Sequence, residues 1–128
     1  MIRILIADDH AIVRAGLRQF IADQPDMEVT GEAASGSEAV QLVRGAEFDV
    51  VLLDISMPDR NGIDTLKTLK QLRPTLPVLM LSGFAEDQYA VNLLRGGASG
   101  YLNKEAASTQ LVGAIRTVVR GRKFVSPA

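Results

Sequence analysis

Three carboxylates, a hydroxyl and an ammonium stand at the ends of apolar runs. Asp8-Asp9 follow Ile2–Ala7, Asp54 follows Val50–Leu53, Ser82 follows Val78–Leu81, and Asn103-Lys104 follow Gly100–Leu102. If these runs are parallel strands of one sheet, all five groups share one rim. Two carboxylates about 4 Å apart at an effective dielectric near 20 repel by roughly 4 kcal/mol. Three of them need counter-charge. Lys104 supplies one positive charge, and a hard divalent cation supplies more; carboxylate oxygens, carbonyls and waters are the ligands magnesium takes. Such a set can neutralise an incoming phosphoryl group, and phosphoryl transfer depends mainly on positioning and charge stabilisation. Asp54, on the central run, is the candidate nucleophile, its product an aspartyl phosphate.

The runs that carry these groups are near-continuously apolar, as in strands buried on both faces. Glu28–Ala34 alternates instead, with Val29, Gly31 and Ala33 predicted on one face and Glu28, Thr30 and Glu32 on the other, which suggests an edge strand. Helical spacing separates the strands. Val13, Leu17, Phe20 and Ile21 form one stripe; Leu111, Ile115, Val118 and Val119 form another. Ser35-Gly36-Ser37-Glu38 has the form of a capping box and opens a helix near residue 37. Gly62–Leu72 and Glu86–Arg95 complete the set. Strict βα alternation predicts an α/β fold, a parallel sheet with helices on both faces. With right-handed crossovers and strands 2 and 5 at the edges, the order is 2-1-3-4-5, as in flavodoxin-like doubly wound folds. In such sheets the ligand crevice lies beyond the carboxyl ends of the strands, where the order reverses. That is the rim holding the acids.

The chain has 128 residues, 47% apolar and 23% charged, with a formal net charge of −1. That composition fits one soluble domain and excludes a disordered chain. The absence of cysteine excludes disulfides, thiolate metal sites and cysteine catalysis. The start, Met1 to Asp9, is too short an apolar stretch for a signal peptide. The expected location is cytoplasmic, with no membrane partner. Residues 106–128 carry Arg116, Arg120, Arg122 and Lys123 and no acid. Cations near a helix C-terminus are favoured by its dipole; a nucleic-acid contact is the other reading.

Together these motifs resemble a response-regulator receiver domain over residues 1 to about 122. They are Asp8-Asp9, Leu53-Asp54-Ile55-Ser56-Met57-Pro58 with Gly62, Ser82-Gly83, and Gly100-Tyr101-Leu102-Asn103-Lys104. Finer features resemble the NarL/FixJ (LuxR-type) family: Ala7-Asp8-Asp9-His10 before Val13-Arg14-Ala15-Gly16-Leu17, then Gly96-Gly97-Ala98-Ser99-Gly100-Tyr101, and the ending Gly121 to Pro127. The resemblance implies that Asp54 accepts a phosphoryl group from a sensor histidine kinase. It implies that Asp9, Asp54 and the backbone carbonyl of Ser56 bind Mg2+, with Asp8 acting mostly through water. Lys104 and Ser82 contact phosphoryl oxygens, and Gly83 leaves them room. Tyr101 turns inward behind Ser82 and changes the surface formed by the helix 86–95, the strand after it and the last helix. The implied domain catalyses only its own phosphorylation and dephosphorylation. Residues 123–128 are expected to begin a linker to a helix-turn-helix output domain, through which alone DNA is contacted. Dimerisation through the first and last helices, or through the Tyr101 surface, is implied without a choice between them. Glu105 stands where many receivers have proline, so Lys104 needs other support; Ser56 and Phe84 occupy positions that tune the phosphoryl lifetime.

Three rivals stay in view. A phosphohydrolase of the haloacid dehalogenase kind also uses an aspartate nucleophile, but it normally wants a second Asp where Ser56 stands. A receiver-like binding module that is never phosphorylated is another. A flavodoxin-like electron carrier is the third, without the Ser/Thr-rich phosphate loop after strand 1. Asp8 or Asp9 taken alone could simply cap the first helix, and His10 reads as a site-edge residue without a chemical role. No Walker A or G-x-G-x-x-G sequence is present in the required context.

Overall fold

The structure is a computed structural model, and it describes residues 1–55, 57, 62–82, 94–104 and 107–125. Ser56, Gly83, Phe84, Glu105, most of the helix expected over 86–95 and residues 126–128 lie outside the described residues. In chain order the elements are β1 (Ile2–Ala7), α1 (Ala11–Ala22), β2 (Met27–Ala33), α2 (Gly36–Gly45), β3 (Val50–Asp54), α3 (Gly62–Leu72), β4 (Val78–Ser82), β5 (Gly100–Asn103), α4 (Ala107–Val119) and β6 (Phe124–Val125). All strand pairs are parallel, in the order β2-β1-β3-β4-β5-β6. This is the expected flavodoxin-like order with one strand added beyond β5. Strand 5 is therefore covered at its outer edge.

Alternation along each strand sorts the core into two layers. Leu5, Ala7, Val51, Leu53, Val78, Met80 and Tyr101 face α2 and α3 and pack on Val40, Val43, Leu66 and Leu69. Ile4, Ile6, Val50, Leu52, Leu79, Leu81 and Leu102 face α1 and α4 and pack on Leu17, Ile21, Leu111 and Ile115. Burying each Val, Leu, Ile or Met side chain among them contributes roughly 1.5–3 kcal/mol. Every residue of β3 and β4 is buried, which fits their central place.

Two local readings need correction. The register of β1 on β2 shifts between Ile4 and Leu5, so that Ile4 pairs with Val29 and Leu5 with Gly31. Thr30 is the extra residue of a bulge. Val29 consequently packs in the α1–α4 layer, while Ala33 lies in the α2–α3 layer; the three residues do not share one face. Phe20, placed in the buried stripe of α1 by its spacing, is 36% exposed, whereas Leu17 and Ile21 are buried. The expected cap of α2 is present: Ser35 accepts a hydrogen bond from the Glu38 amide at 3.1 Å.

Candidate functional site

The carboxyl ends of β1, β3, β4 and β5 bring the predicted rim together. The Asp8 amide donates to the Ala33 carbonyl at 3.0 Å, which fixes the end of β1 against β2. The Ile55 amide donates to the Leu81 carbonyl at 3.0 Å, which fixes the turn after Asp54. Gly62 is needed beside that turn. A Cβ there would lie 2.7 Å from Ile55 Cα, and its amide donates to the Ile55 carbonyl at 2.8 Å. The start of α3 thus closes on the residue next to Asp54.

Asp8 and Asp54 are almost wholly buried, at 0% and 2% exposure. Lys104 Nζ bridges them, 2.9 Å from Asp8 Oδ2 and 3.2 Å from Asp54 Oδ2. The ammonium holds its proton above the ordinary lysine range. Partial burial works against the charge, but the hydrogen bond to Asp8 and the charges of Asp54 and Asp8 outweigh it. Asp9 lies nearer the surface. His10 Nδ1 sits 3.0 Å from Asp8 Oδ1 and 3.1 Å from Asp9 Oδ1, so an N–H there faces both carboxylates.

The helix-cap reading of Asp8 and Asp9 is not what the geometry gives. His10 is the N-cap of α1 and makes no side-chain cap hydrogen bond. Asp8 Oδ1 instead accepts from the His10 amide at 2.8 Å, a local turn that aims the carboxylate at the rim.

The donor set suits a hard divalent cation. One ligand atom from each of Asp8, Asp9, His10 and Asp54 lies within 4.8 Å of all the others. Asp8 Oδ2 and Asp9 Oδ1 are buried, the first beside the Lys104 ammonium at 2.9 Å and the second beside His10 Nδ1 at 3.1 Å. Carboxylate oxygens left in that state, with one ammonium between three acids, match what magnesium takes. Asp8, Asp9 and Asp54 are the residues able to hold it. Ser56, whose carbonyl was expected to join them, lies outside the described residues.

The remaining predicted residues occupy β4 and β5. Ser82 is buried at the end of β4 and pairs in register with Asn103, next to Lys104. Tyr101 is buried in the α2–α3 layer and pairs with Met80, two residues before Ser82.

Two supports were not read from the sequence. One is the His10 contact with both acids. The other is Arg14, whose guanidinium donates to the Asp8 carbonyl and pairs with Glu32 of β2 at 3.3 Å, while Arg18 pairs with the same Glu32 at 3.0 Å. The signal for Arg14 was its place one turn into α1, facing the acid pair; nothing local in the sequence pointed to Glu32.

Comparison with known proteins agrees with this geometry. Residues 4–116 match the response regulator receiver domain family. The chain is 38% identical over 127 residues to the response regulator GacA of Pseudomonas viridiflava, covering 99% of this chain and 59% of that protein. It is 38% identical over 126 residues to the transcriptional regulatory protein DegU of Brevibacillus brevis, covering 98% of this chain and 53% of that protein. The chain therefore spans little more than half the length of these relatives. Among solved structures, a two-component response regulator of the LuxR family from Aurantimonas sp. SI85-9A1 superposes with a TM-score of 0.91 at 33% identity, covering 97% of this chain and 88% of that chain. No helix among the described residues is long and apolar enough to cross a membrane. With an acidic rim at the switch point of the sheet, a family match across most of the chain and a close structural likeness, the chain belongs to the response regulator receiver domain family, in its NarL/FixJ (LuxR-type) branch.

Proposed function

We propose that Asp54 takes a phosphoryl group from a phosphohistidine of a sensor kinase in the cytoplasm, with Mg2+ bound at Asp8, Asp9 and Asp54. The observation that carries this reading is the bridge of Lys104 Nζ between two buried carboxylates, Asp8 and Asp54, at a rim with too few positive charges. A carboxylate oxygen of Asp54 attacks phosphorus in line. The O–P bond forms as the N–P bond breaks, and the electron pair leaves with the donor imidazole. Lys104 moves its contact from Asp54 to a phosphoryl oxygen, and Ser82 hydrogen-bonds another. Bound magnesium supplies the further positive charge that the three-acid rim lacks. His10 and Arg14 hold the two acids of the β1 end in place. Ser82 and Tyr101, two residues apart in strand register, carry the change to the surface, a two-state switch biased by a local charge change. By likeness to relatives such as the transcriptional regulatory protein DegU of Brevibacillus brevis, this switch would control transcription.

The test is incubation with acetyl phosphate and Mg2+, on wild type and on Asp54→Ala. The wild type is expected to gain the mass of one phosphoryl group, stoichiometric and labile to hydroxylamine; the variant gains none. Steady turnover of small phosphate esters would instead favour a hydrolase, and no labelling at all would favour a binding module.

A further inference from the structure

The β5 edge of the sheet holds a feature that phosphotransfer does not use. After α4 the chain turns back, and Phe124–Val125 lie parallel to β5, with Phe124 opposite Gly100 and Val125 opposite Tyr101. The Phe124 amide donates to the Ser99 carbonyl at 2.9 Å, Lys123 Nζ donates to the Ala98 carbonyl at 2.7 Å, and Phe124 packs against the α1–α4 layer. The β5 side is shaped to receive this segment. A Cβ on Gly100 would lie 2.5 Å from the Phe124 carbonyl oxygen and 2.9 Å from Leu79 Cδ1. Only glycine admits the strand at this separation.

Two properties make the docking responsive. The first is direction. Because β6 runs parallel to β5, its end points toward the rim, and Lys104 lies three residues beyond Tyr101, roughly 10 Å at the usual rise. The second is weakness. A two-residue strand is shorter than stable strands usually are. It also carries its own repulsion. Lys70 donates to the Leu76 carbonyl at 2.9 Å, and burial together with the nearby Lys123 ammonium lowers its hold on its proton.

We propose that Lys123–Val125 form a detachable edge strand, a segment of this chain docked on β5 that occupancy of the Asp54 site loosens. This rests on the phosphotransfer reading above. Asp54 lies opposite Leu81 on β4; one residue on, Ser82 lies opposite Asn103 on β5; and Tyr101, two residues before Asn103, lies opposite Val125 on β6. An anion on Asp54 draws Ser82 and Lys104, at the ends of β4 and β5, toward β3 and so away from β6. The shortest ladder in the sheet yields first.

The experiment is amide hydrogen exchange of this chain with Mg2+, with and without beryllofluoride as the phosphoryl mimic. The Phe124 amide reports docking because its acceptor is the Ser99 carbonyl. Beryllofluoride is expected to speed its exchange by about five-fold or more, the scale of a shift in local opening, and to have no effect in Asp54→Asn. Gly100→Ala is expected to expose Phe124 without any ligand and to hasten trypsin cleavage after Lys123. Should that variant not fold, Phe124→Gly removes the side chain that packs on the α1–α4 layer and leaves β5 intact, and the same faster cleavage is expected. Beryllofluoride that shifts amide resonances around Asp54 but leaves Phe124 exchange unchanged, or slows it, overturns the coupling and spares the phosphotransfer reading. A Phe124 amide unprotected in the unliganded wild type overturns the docking itself. Absence of any response around Asp54 overturns the phosphotransfer reading, and the detachable strand falls with it.

Discussion

The two ends of the sheet hold charge in opposite ways. At the amino end every acid discussed has its base: Arg3 pairs with Asp49 at 3.2 Å and with Glu47 at 3.8 Å, and Arg116 pairs with Asp26 at 2.9 Å. These groups are largely exposed. A cleft of about 280 Å³ lies beside the Arg3 pairs, lined by Arg3, Phe48, Asp49, Arg73 and Pro77, but its guanidiniums are engaged, Arg3 by Asp49 and Arg73 by the Val43 carbonyl at 3.1 Å. At the carboxyl end two acids are buried and a third is close by, with Lys104 the cation between them. Matched and solvated charges add to stability by small amounts. Unmatched buried charges cost stability, and their retention at one place points to a ligand that completes them.

The sharpest way to break this contrast is to remove the acceptor. Asp54→Asn is expected to abolish labelling by acetyl phosphate altogether, while Asp49→Asn labels like wild type. Intact-mass spectrometry reads both. The next effect is on stability. Lys104→Met leaves Asp8 and Asp54 buried without their counter-charge, and unfolding in urea without metal is expected to show a loss of about 3 kcal/mol. The pH dependence carries a sign. Since the folded value of Lys104 lies above the ordinary 10.5, its contribution is complete below 10.5 and fades as pH climbs through the higher value. Wild-type stability should therefore fall in that alkaline window by a component that Lys104→Met lacks.

Asp9→Asn sharpens the contrast from the other side. It removes one of three like charges, so the metal-free chain is expected to gain about 0.5–1 kcal/mol, as commonly happens when a functional site is relieved of strain. The same change should weaken Mg2+ at least ~10-fold, about 1.4 kcal/mol, read by calorimetric titration. Mg2+ should raise the wild-type melting temperature by mass action and the variant's far less. Gain in one assay with loss in the other is the mark of a charge kept for binding.

How much of this was legible in the sequence follows from range. The rim was legible because each functional group sits directly after an apolar run, and strand polarity then sends them all to one end. The α2 cap was legible because Ser35 and Glu38 interact locally. The Thr30 bulge was not, since inserting one residue leaves the alternation of β2 intact along the chain and alters only its pairing with β1. β6 was not, because two residues show no periodicity and Gly100 explains itself only once Phe124 lies against it. His10 read as a bystander because one histidine in a sequence has no visible partner; its contact with two acids depends on the tight turn at Asp8.

The smallest expected effect tests the amino end most directly. Asp49 is held below the ordinary carboxylate value of 3.8. Its partial burial works against ionisation, but hydrogen bonds from the Arg3 side chain and amide, and the charge of Arg3, outweigh that. A carboxylate lowered in this way stabilises the fold above its unfolded value and ceases to do so as pH falls through the folded one. Asp49→Asn is therefore expected to lose less than about 1 kcal/mol at neutral pH, the scale of an exposed pair. Thermal melts across roughly pH 2 to 5 should show the variant and the wild type converging at the acid end. Mg2+ affinity should be the same in both. A large loss, or a change in metal binding, would mean that the two ends of the sheet are electrostatically linked and that the division of labour drawn between them is wrong.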